Sequence, residues 1–316
     1  MAVVAGIDEA GYGPRLGPLV VSAVAFEVAD AAAGLDLWGL LGDAVSRSVR
    51  DRDRVPVDDS KRLFSQAIGL RHIERTALAF AAAAGIQPAT FRGLLAGLAE
   101  LDEPPDSYPW YAGFDLPVPL DAQPDRIAAD ARRLLAVRRT ADFLGVRSMP
   151  VLEGEFNRLV ESVGTKSATL FLATSRLLTH LWTQWGERGL IVHVDKHGGR
   201  DRYGLLLHQT FFGARIHVVR EGHHESVYEV SDGGRRMTIG FYEGGDSRHL
   251  PVALASCYSK YVRELFMRGF NAYWLGHVPG LQPTAGYCPD ADRFLRDIEP
   301  VRRQLGIADR RLIRIA

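Results

Sequence analysis

The chain of 316 residues has only two cysteines, Cys257 and Cys288, too few for a framework of disulfide bonds. We therefore expect a reducing compartment, the cytoplasm. No apolar run approaches the roughly 20 residues that a membrane-spanning helix needs. The N-terminal segment has no basic region before its apolar stretch, so it is not predicted to be a signal peptide. A hydrophobic content of 47% and a charged content of 24% are typical of a soluble globular protein.

Excess charge is also absent, because 38 basic and 38 acidic residues give a formal net charge of zero. A global positive field of the kind that marks many nucleic-acid-binding proteins is excluded, although local patches can suffice. Only four of the basic residues are lysines: Lys61, Lys166, Lys196 and Lys260. Lysine is a compact point charge and arginine a broad planar fork, so these positions are candidates for crowded phosphate or carboxylate sites.

Residues 3–26, VVAGIDEAGYGPRLGPLVVSAVAF, contain two apolar runs separated by a loop rich in glycine and proline. This pattern predicts two strands of a hairpin. The first run ends in Asp8 and Glu9, and charge at the end of a buried strand is costly unless a cation compensates it. Neighbouring strand residues point to opposite faces, so the two carboxylates can share a site only if the chain bends after them. Gly11 and Gly13 make that bend feasible.

The remaining sequence predicts alternating helices and strands. A buried strand followed by an aspartate and glycines is predicted in residues 189–199, and three strands linked by turns are predicted between residues 214 and 245. Helices are predicted over residues 65–84, with Ser65 as N-cap, and over 90–100, 124–144, 155–188 (as one or two helices) and 251–269, followed by two short helices in the tail.

Residues 101–120, LDEPPDSYPWYAGFDLPVPL, stand out because they contain five prolines and four aromatic residues. Two interpretations remain open: an ordered loop or lid, or an inserted element that packs on the core. The cluster of Tyr108, Trp110 and Tyr111 is accordingly either a platform for base stacking or part of a packed lid. We expect one catalytic domain over residues 1–316, with an inserted helical and Pro-aromatic element at 86–150 and a helical extension at 270–316.

Four acidic positions are candidates for a shared site. Asp8, Glu9 and Asp195 follow buried strands, and Glu264 lies within an alanine-rich helix. Strand ends of an α/β sheet gather at one edge, and clustered carboxylates cannot all ionise without a cation. Oxygen ligands favour Mg²⁺ or Mn²⁺ over zinc. Two such ions can activate a water and stabilise the leaving oxygen of a phosphodiester.

Four motifs resemble the ribonuclease HII (type 2 ribonuclease H) family, in the same order and over roughly half of the chain. They are GIDEAGYGPRLGPLVVSAV, DDSKRLF, GGDSRHLPVALASCYSKYVRELFM and TAGYCPDADRFL. The third aligns without gaps, with matches that include Asp246, Lys260 and Arg263. The resemblance implies an α/β, RNase H-like fold with a mixed five-stranded sheet flanked by helices, to which the insertion and extra strands are added.

The resemblance also implies metal-dependent endonuclease activity at ribonucleotides in an RNA/DNA hybrid or in ribonucleotide-containing duplex DNA. Asp8, Glu9, Asp195 and Glu264 match the catalytic, metal-binding carboxylates, with Mg²⁺ or Mn²⁺ as cofactor. The implied substrate-binding residues are the loop whose backbone contacts the ribose 2′-hydroxyl, a tyrosine near the RNA–DNA junction and two lysines close to the site: Gly11, Tyr12, Gly13, Tyr287, Lys61 and Lys260.

This chain departs from the family pattern at several of these positions. Tyr12 replaces an arginine in the loop and removes a cation near the cleaved backbone, Glu264 replaces an aspartate, and Ala285 replaces a lysine. Two alternative functions therefore remain: a nuclease of the same fold that acts on another structured nucleic acid, and a non-catalytic nucleic-acid-binding protein that retains the fold.

Overall fold

The computed structural model describes residues 1–32, 34, 36–65 and 67–315. In this part of the chain, no helix combines the length and the apolar character needed to cross a membrane. The described residues form nine strands: β1 (Ala2–Ala10), β2 (Leu19–Val28), β3 (Val45–Ser46), β4 (Val55–Pro56), β5 (Ala141–Val151), β6 (Leu190–Asp195), β7 (Arg215–Arg220), β8 (Glu225–Asp232) and β9 (Arg235–Tyr242).

Twelve α-helices accompany the strands in the same described residues: α1 (Leu37–Leu40), α2 (Ser60–Leu63), α3 (Arg71–Ala83), α4 (Phe91–Leu98), α5 (Pro124–Ala136), α6 (Glu153–Val163), α7 (Lys166–Trp185), α8 (Gly204–Thr210), α9 (Gly245–Arg248), α10 (Leu250–His277), α11 (Asp290–Gln304) and α12 (Asp309–Leu312).

Seven of the strands form one mixed sheet in the order β5-β2-β1-β6-β9-β8-β7. The predicted hairpin is confirmed, because β1 pairs with β2 in antiparallel orientation, with Asp8 opposite Ser22. On its other side β1 runs parallel to β6, which runs parallel to β9. The predicted α/β class with a mixed sheet and flanking helices is confirmed. The three strands predicted between residues 214 and 245 all join this sheet and help to extend it beyond five strands.

Two predicted helix boundaries are wrong. The helix predicted for residues 124–144 ends at Ala136, and the chain then forms β5 along the free edge of β2. The helix predicted from Ser65 begins only at Arg71, because Gly69 takes a left-handed φ of 71° and interrupts the helical backbone. Strand β5 begins inside the interval 86–150 and ends at Val151, so the end of the predicted inserted element belongs to the main sheet. Helix α10 runs across residue 270, where we expected the C-terminal extension to begin.

The two faces of the sheet are covered by separate hydrophobic clusters. On one face, Val4 of β1 belongs to a cluster that includes α3 and α10. On the other face, Val3 and Ile7 pack with residues of α6, α7 and α8. A Cβ atom on Gly6 would lie 2.1 Å from the carbonyl carbon of Pro251, so this glycine lets the first turn of α10 rest directly on β1. The contact brings α10 against the strand that ends in the acidic pair.

The aromatic cluster of the insertion is part of the core. Tyr108, Trp110 and Tyr111 are each no more than 2% exposed. The ring of Tyr111 packs edge-on against Phe266 of α10, with ring centroids 5.0 Å apart, and Trp110 packs against Phe270. The interpretation as an element packed on the core is therefore confirmed, and the interpretation as a stacking platform is wrong, because no face of these rings is open to a base.

Candidate active site

Three of the predicted carboxylates lie together at one edge of the sheet. Asp8 and Glu9 end β1, and Asp195 ends the parallel neighbour β6. One carboxylate oxygen of each lies within 4.8 Å of those of the other two. Among the described residues, no other group of three or more His, Cys, Asp or Glu ligand atoms is this close. The two consecutive side chains contribute to one site although β1 stays paired with β2 through Ala10, so the turn at Gly11 (φ 85°) comes after both of them and the predicted bend does not explain their convergence.

Asp8 and Asp195 are held in place by backbone and hydroxyl groups. The backbone N–H of Glu9 donates to Asp8 Oδ1 over 2.7 Å. Asp195 Oδ1 accepts from the N–H of Gly245, at the start of α9, over 2.7 Å. A Cβ atom at Gly245 would lie 3.3 Å from that same oxygen, so glycine keeps the approach open. The hydroxyl of Ser259 on α10 donates to the backbone oxygen of Asp8 and fixes the strand end against the helix.

The electrostatics of the group are unfavourable without a cation. Burial, followed by the charges of Glu9 and Asp195, raises the pKa of Asp8 well above its usual range. Burial and then the charge of Asp195 raise the pKa of Glu9 to about 7. Burial raises the pKa of Asp195 to about 6, although the bond from Gly245 opposes the shift. No lysine, arginine or histidine of the described residues lies within 4.0 Å of these carboxylates as an ion pair.

Asp246, on α9, also belongs to this electrostatic environment. Its charge raises the pKa of both Glu9 and Asp195, and burial followed by the charge of Asp59 raises its own pKa. The sequence motif GGDSRHL included Asp246, but we assigned it no role. Asp246 follows a predicted strand and two glycines, so it also lies at a strand end, and this is the signal that could have identified it.

Lys61 faces the same group, as predicted. Its positive charge lowers the pKa of Asp195 and that of Asp246. It lies on the short helix α2, which begins where the side chain of Asp59 accepts from the backbone N–H of Lys61. Lys61 is exposed, so its ammonium group can reach a substrate as well as the carboxylates.

Glu264 and Lys260 pair with each other on successive turns of α10. The Nζ atom of Lys260 lies 2.9 Å from Glu264 Oε1. The guanidinium of Arg263 lies 3.7 Å from the same oxygen. Within the described residues Glu264 is outside the group formed by Asp8, Glu9 and Asp195. The structure thus brings together three of the four predicted carboxylates and pairs the fourth, Glu264, with Lys260.

Two buried arginines donate hydrogen bonds to the glycine loop that follows Glu9. Arg314, from the C-terminal segment, donates to the carbonyl oxygens of Gly11 and Tyr12. Arg263 donates to that of Leu16 over 3.2 Å. Burial and then the charge of Arg263 lower the pKa of Arg314 to about 9. No sequence signal marked Arg314, because some 300 residues separate it from the loop.

Tyr287 lies beside this loop. Its ring atom Cε1 would lie 4.0 Å from a Cβ atom at Gly13, and 43% of the residue is exposed. The Arg263 guanidinium carbon is 5.5 Å from the centroid of the same ring. The backbone N–H of Arg15 donates to the carbonyl oxygen of Gly286 over 2.9 Å, which ties the two segments together.

The residues present fit a divalent cation. Three carboxylates converge, their pKa values are raised by burial and mutual repulsion, and no protein cation pairs with them in the described ranges. A hard cation with oxygen ligands, such as Mg²⁺ or Mn²⁺, would relieve that repulsion. The site can therefore bind metal and place it beside an open glycine loop.

Comparison with solved structures finds similarity to ribonucleases H. Ribonuclease HII from Archaeoglobus fulgidus, solved in a complex with PCNA, is 16% identical, with 99% of this chain and 94% of that chain covered and a TM-score of 0.46. Ribonuclease H2 from Pyrococcus horikoshii is 13% identical, with 98% and 92% covered and a TM-score of 0.42. Bst-RNase HIII, solved with Mn²⁺, is 16% identical, with 99% and 66% covered and a TM-score of 0.43.

No protein-family model matches the chain, and no curated protein matches it. Because these identities and TM-scores are low, the functional assignment depends on the residues of this chain itself.

Proposed function

We propose that this protein is a metal-dependent endonuclease of the ribonuclease HII type. Its substrate would be the phosphodiester at a ribonucleotide in an RNA/DNA hybrid or in ribonucleotide-containing duplex DNA. The observation that supports this most is the group of buried Asp8 and half-buried Glu9 and Asp195, which has no ion-paired protein cation among the described residues and lies beside the loop of Gly11 to Gly13. The motif resemblance supplies the substrate class.

Asp8, Glu9 and Asp195 would hold Mg²⁺ or Mn²⁺. When bound there, the metal supplies Lewis-acid activation of a water and stabilisation of the leaving 3′-oxygen. The protein contributes the fixed geometry. The Glu9 and Gly245 N–H groups orient the carboxylates of Asp8 and Asp195, so little reorganisation is needed when the cation binds.

For a fourth carboxylate the chain offers two candidates. Glu264 is the one that the motif resemblance suggests, and it has a partner in Lys260. Asp246 is favoured by electrostatics, because its charge acts on both Glu9 and Asp195. We propose Asp246 for this position, with Glu264 serving to orient Lys260.

The glycine loop and Tyr287 would recognise the ribose. The backbone of Gly11, Tyr12 and Gly13 lies beside the half-exposed Tyr287 ring. A 2′-hydroxyl can both donate and accept hydrogen bonds, which lets such a backbone distinguish RNA from DNA. Arg314 and Arg263 keep the loop carbonyls turned inward, away from this surface.

The test is a panel of labelled duplexes in Mg²⁺ and in Mn²⁺: RNA/DNA hybrid, DNA with one embedded ribonucleotide, DNA alone and RNA alone. We expect cleavage only where a ribonucleotide faces DNA. Cleavage that ignores the 2′-hydroxyl would support a nuclease for another structured nucleic acid. Absence of cleavage, together with absence of Mn²⁺ binding by calorimetry, would contradict the proposal and support a non-catalytic binding protein.

A further inference from the structure

Two cations lie beside Tyr12, the residue that occupies the place of an arginine in the resembled loop. Lys166 is the first residue of α7, and its Nζ atom lies 5.4 Å from the centroid of the Tyr12 ring. Arg200 comes from the segment after β6. Burial and the charge of Glu9 raise the pKa of the Tyr12 hydroxyl, whereas the charges of Arg200 and then Arg314 oppose the rise. Tyr12 is therefore close to Lys166 and near enough to Glu9 and Arg200 to be affected by their charges.

Both cations are positioned by neighbouring residues. Thr165 caps α7 by accepting from the N–H of Ala168 over 3.1 Å, which fixes the start of the helix and the stem of Lys166. Arg200 donates from Nη2 to the hydroxyl of Ser167 over 2.9 Å, so it is tied to the same turn. Its guanidinium carbon is 6.0 Å from the Tyr203 ring centroid. The Nε atom of Arg200 is buried and has no hydrogen-bond partner.

Neither cation is neutralised by the protein. In the part of the chain that the structure describes, Lys166 and Arg200 form no ion pair within 4.0 Å, whereas Lys196 pairs with Asp201 and Lys260 with Glu264. Both side chains are half-buried. Burial, and then the charge of Arg314, lower the pKa of Lys166. Half-buried cations without a counter-charge are costly, and a bound anion would remove that cost.

We propose that Lys166 and Arg200 form a subsite for a backbone phosphate of the nucleic-acid strand that passes over Tyr12. The inference rests on the proposed function. Lys166 and Arg200 would supply the positive charge that Tyr12, in the place of an arginine, does not provide. Lysine supplies a point charge, and arginine a planar fork that matches two phosphate oxygens. The acidic group repels phosphate wherever a metal does not cover it. Nearby cations would therefore keep the nucleic-acid strand in position over the site.

The experiment measures the salt dependence of duplex binding in the cleavage-deficient Asp8→Asn protein. The duplex is DNA with one embedded ribonucleotide, and binding is followed by fluorescence anisotropy over a series of KCl concentrations. Each phosphate contact contributes about 0.9 to the slope of log K against log salt concentration. We expect Lys166→Ala and Arg200→Ala each to lower the slope by about 1 and the double variant by about 2.

Arg236→Ala is the matched control. Arg236 is exposed and lies near the start of β9, whereas Tyr242, the partner of Asp195, ends the same strand. Six residues of strand place the two ends about 20 Å apart. The control removes one positive charge and should leave the slope unchanged. Lys166→Arg should keep most of the slope, and thermal unfolding midpoints would verify that every variant is folded.

The outcomes separate the two proposals. If folded Lys166→Ala and Arg200→Ala proteins keep the slope and affinity of the Asp8→Asn parent, the subsite is wrong, while ribonucleotide-directed cleavage by the unmodified protein still supports the function. If the parent binds no duplex at any salt concentration, the subsite is contradicted as well. If unmodified protein cleaves nothing but the slope changes as expected, the phosphate subsite stands and the nuclease function is wrong.

Discussion

Two regions of the protein hold carboxylates in contrasting surroundings. Asp130 on α5 is fully buried and accepts from Arg75 over 2.6 Å and from Arg133 over 3.1 Å. Glu74 on α3 is also fully buried and accepts from the backbone N–H groups of residues 120–122. Among the described residues, the group of Asp8, Glu9 and Asp195 has one backbone N–H for Asp8 and one for Asp195, but no protein cation in an ion pair with it.

This difference distinguishes carboxylates that stabilise the fold from carboxylates that belong to a functional site. The carboxylates of Asp130 and Glu74 join α3 to the insertion, and their partners come from the protein itself. Removing a buried carboxylate of this kind leaves its partners unpaired. The like charges of the acidic group instead repel one another. Natural proteins keep such charges together where an external cation completes the site. The comparison predicts that substitutions in the two regions affect different properties.

The largest expected effect is the loss of cleavage in Asp8→Asn or Asp195→Asn. Because each carboxylate would contribute a metal ligand, we expect cleavage to fall by about 10³-fold or more. Without metal, the same changes remove like-charge repulsion, so the unfolding midpoint should stay the same or rise. Single-turnover kinetics and thermal unfolding in EDTA measure the two properties. Wild-type cleavage by either variant would contradict the assignment of the site.

Asp130→Asn should show the opposite behaviour. It leaves Arg75 and Arg133 without their counter-charge, and we expect the free energy of unfolding to fall by about 3–5 kcal/mol. Urea unfolding would measure the loss. Asp125→Asn, an exposed position on the same helix, is the control and should change little. Cleavage by Asp130→Asn at low temperature should match the unmodified protein; a loss as large as that of Asp8→Asn would remove the distinction between the two regions.

Asp246→Asn and Glu264→Gln test which carboxylate completes the acidic group. We expect Asp246→Asn to reduce cleavage by about 10–100-fold and to raise the Mn²⁺ concentration needed for half-maximal activity. Glu264→Gln should have a much smaller effect, because its carboxylate is paired with Lys260. Metal titrations of cleavage rate compare the two variants. The reverse order of effects would favour Glu264 as the fourth ligand.

The smallest expected effect concerns pH and Glu155, a buried carboxylate outside both regions. Burial, followed by the charge of Asp102, raises its pKa to about 7. The folded state therefore binds the proton more tightly than the unfolded state. This contribution to stability is fully present below pH about 4.5 and is lost as pH rises through 7, a difference of roughly 3 kcal/mol.

Glu155→Gln should remove that pH-dependent loss, so its stability relative to the unmodified protein should increase between pH 5 and pH 8. Urea unfolding at several pH values would measure it. Glu161→Gln, an exposed glutamate on the same helix α6, should follow the unmodified protein at every pH. Equal pH dependence in all three proteins would show that Glu155 does not titrate as a buried group.

Sequence patterns alone predicted the hairpin of β1 and β2, the strand that ends at Asp195 and the convergence of Asp8, Glu9 and Asp195. These features depend on local apolar periodicity, on turn residues and on the rule that parallel strand ends share an edge. Local information was enough because the strands that carry Asp8 and Asp195 are direct neighbours in the sheet.

Other features depend on contacts between segments that are distant in the sequence. Strand β5 forms because residues 141–151 find the free edge of β2, and nothing within the segment itself specifies that edge. Arg314 reaches the loop from the far end of the chain. Asp246 gains its influence on Glu9 and Asp195 from the position of α9. Such choices depend on which distant surfaces meet, and local patterns do not encode that.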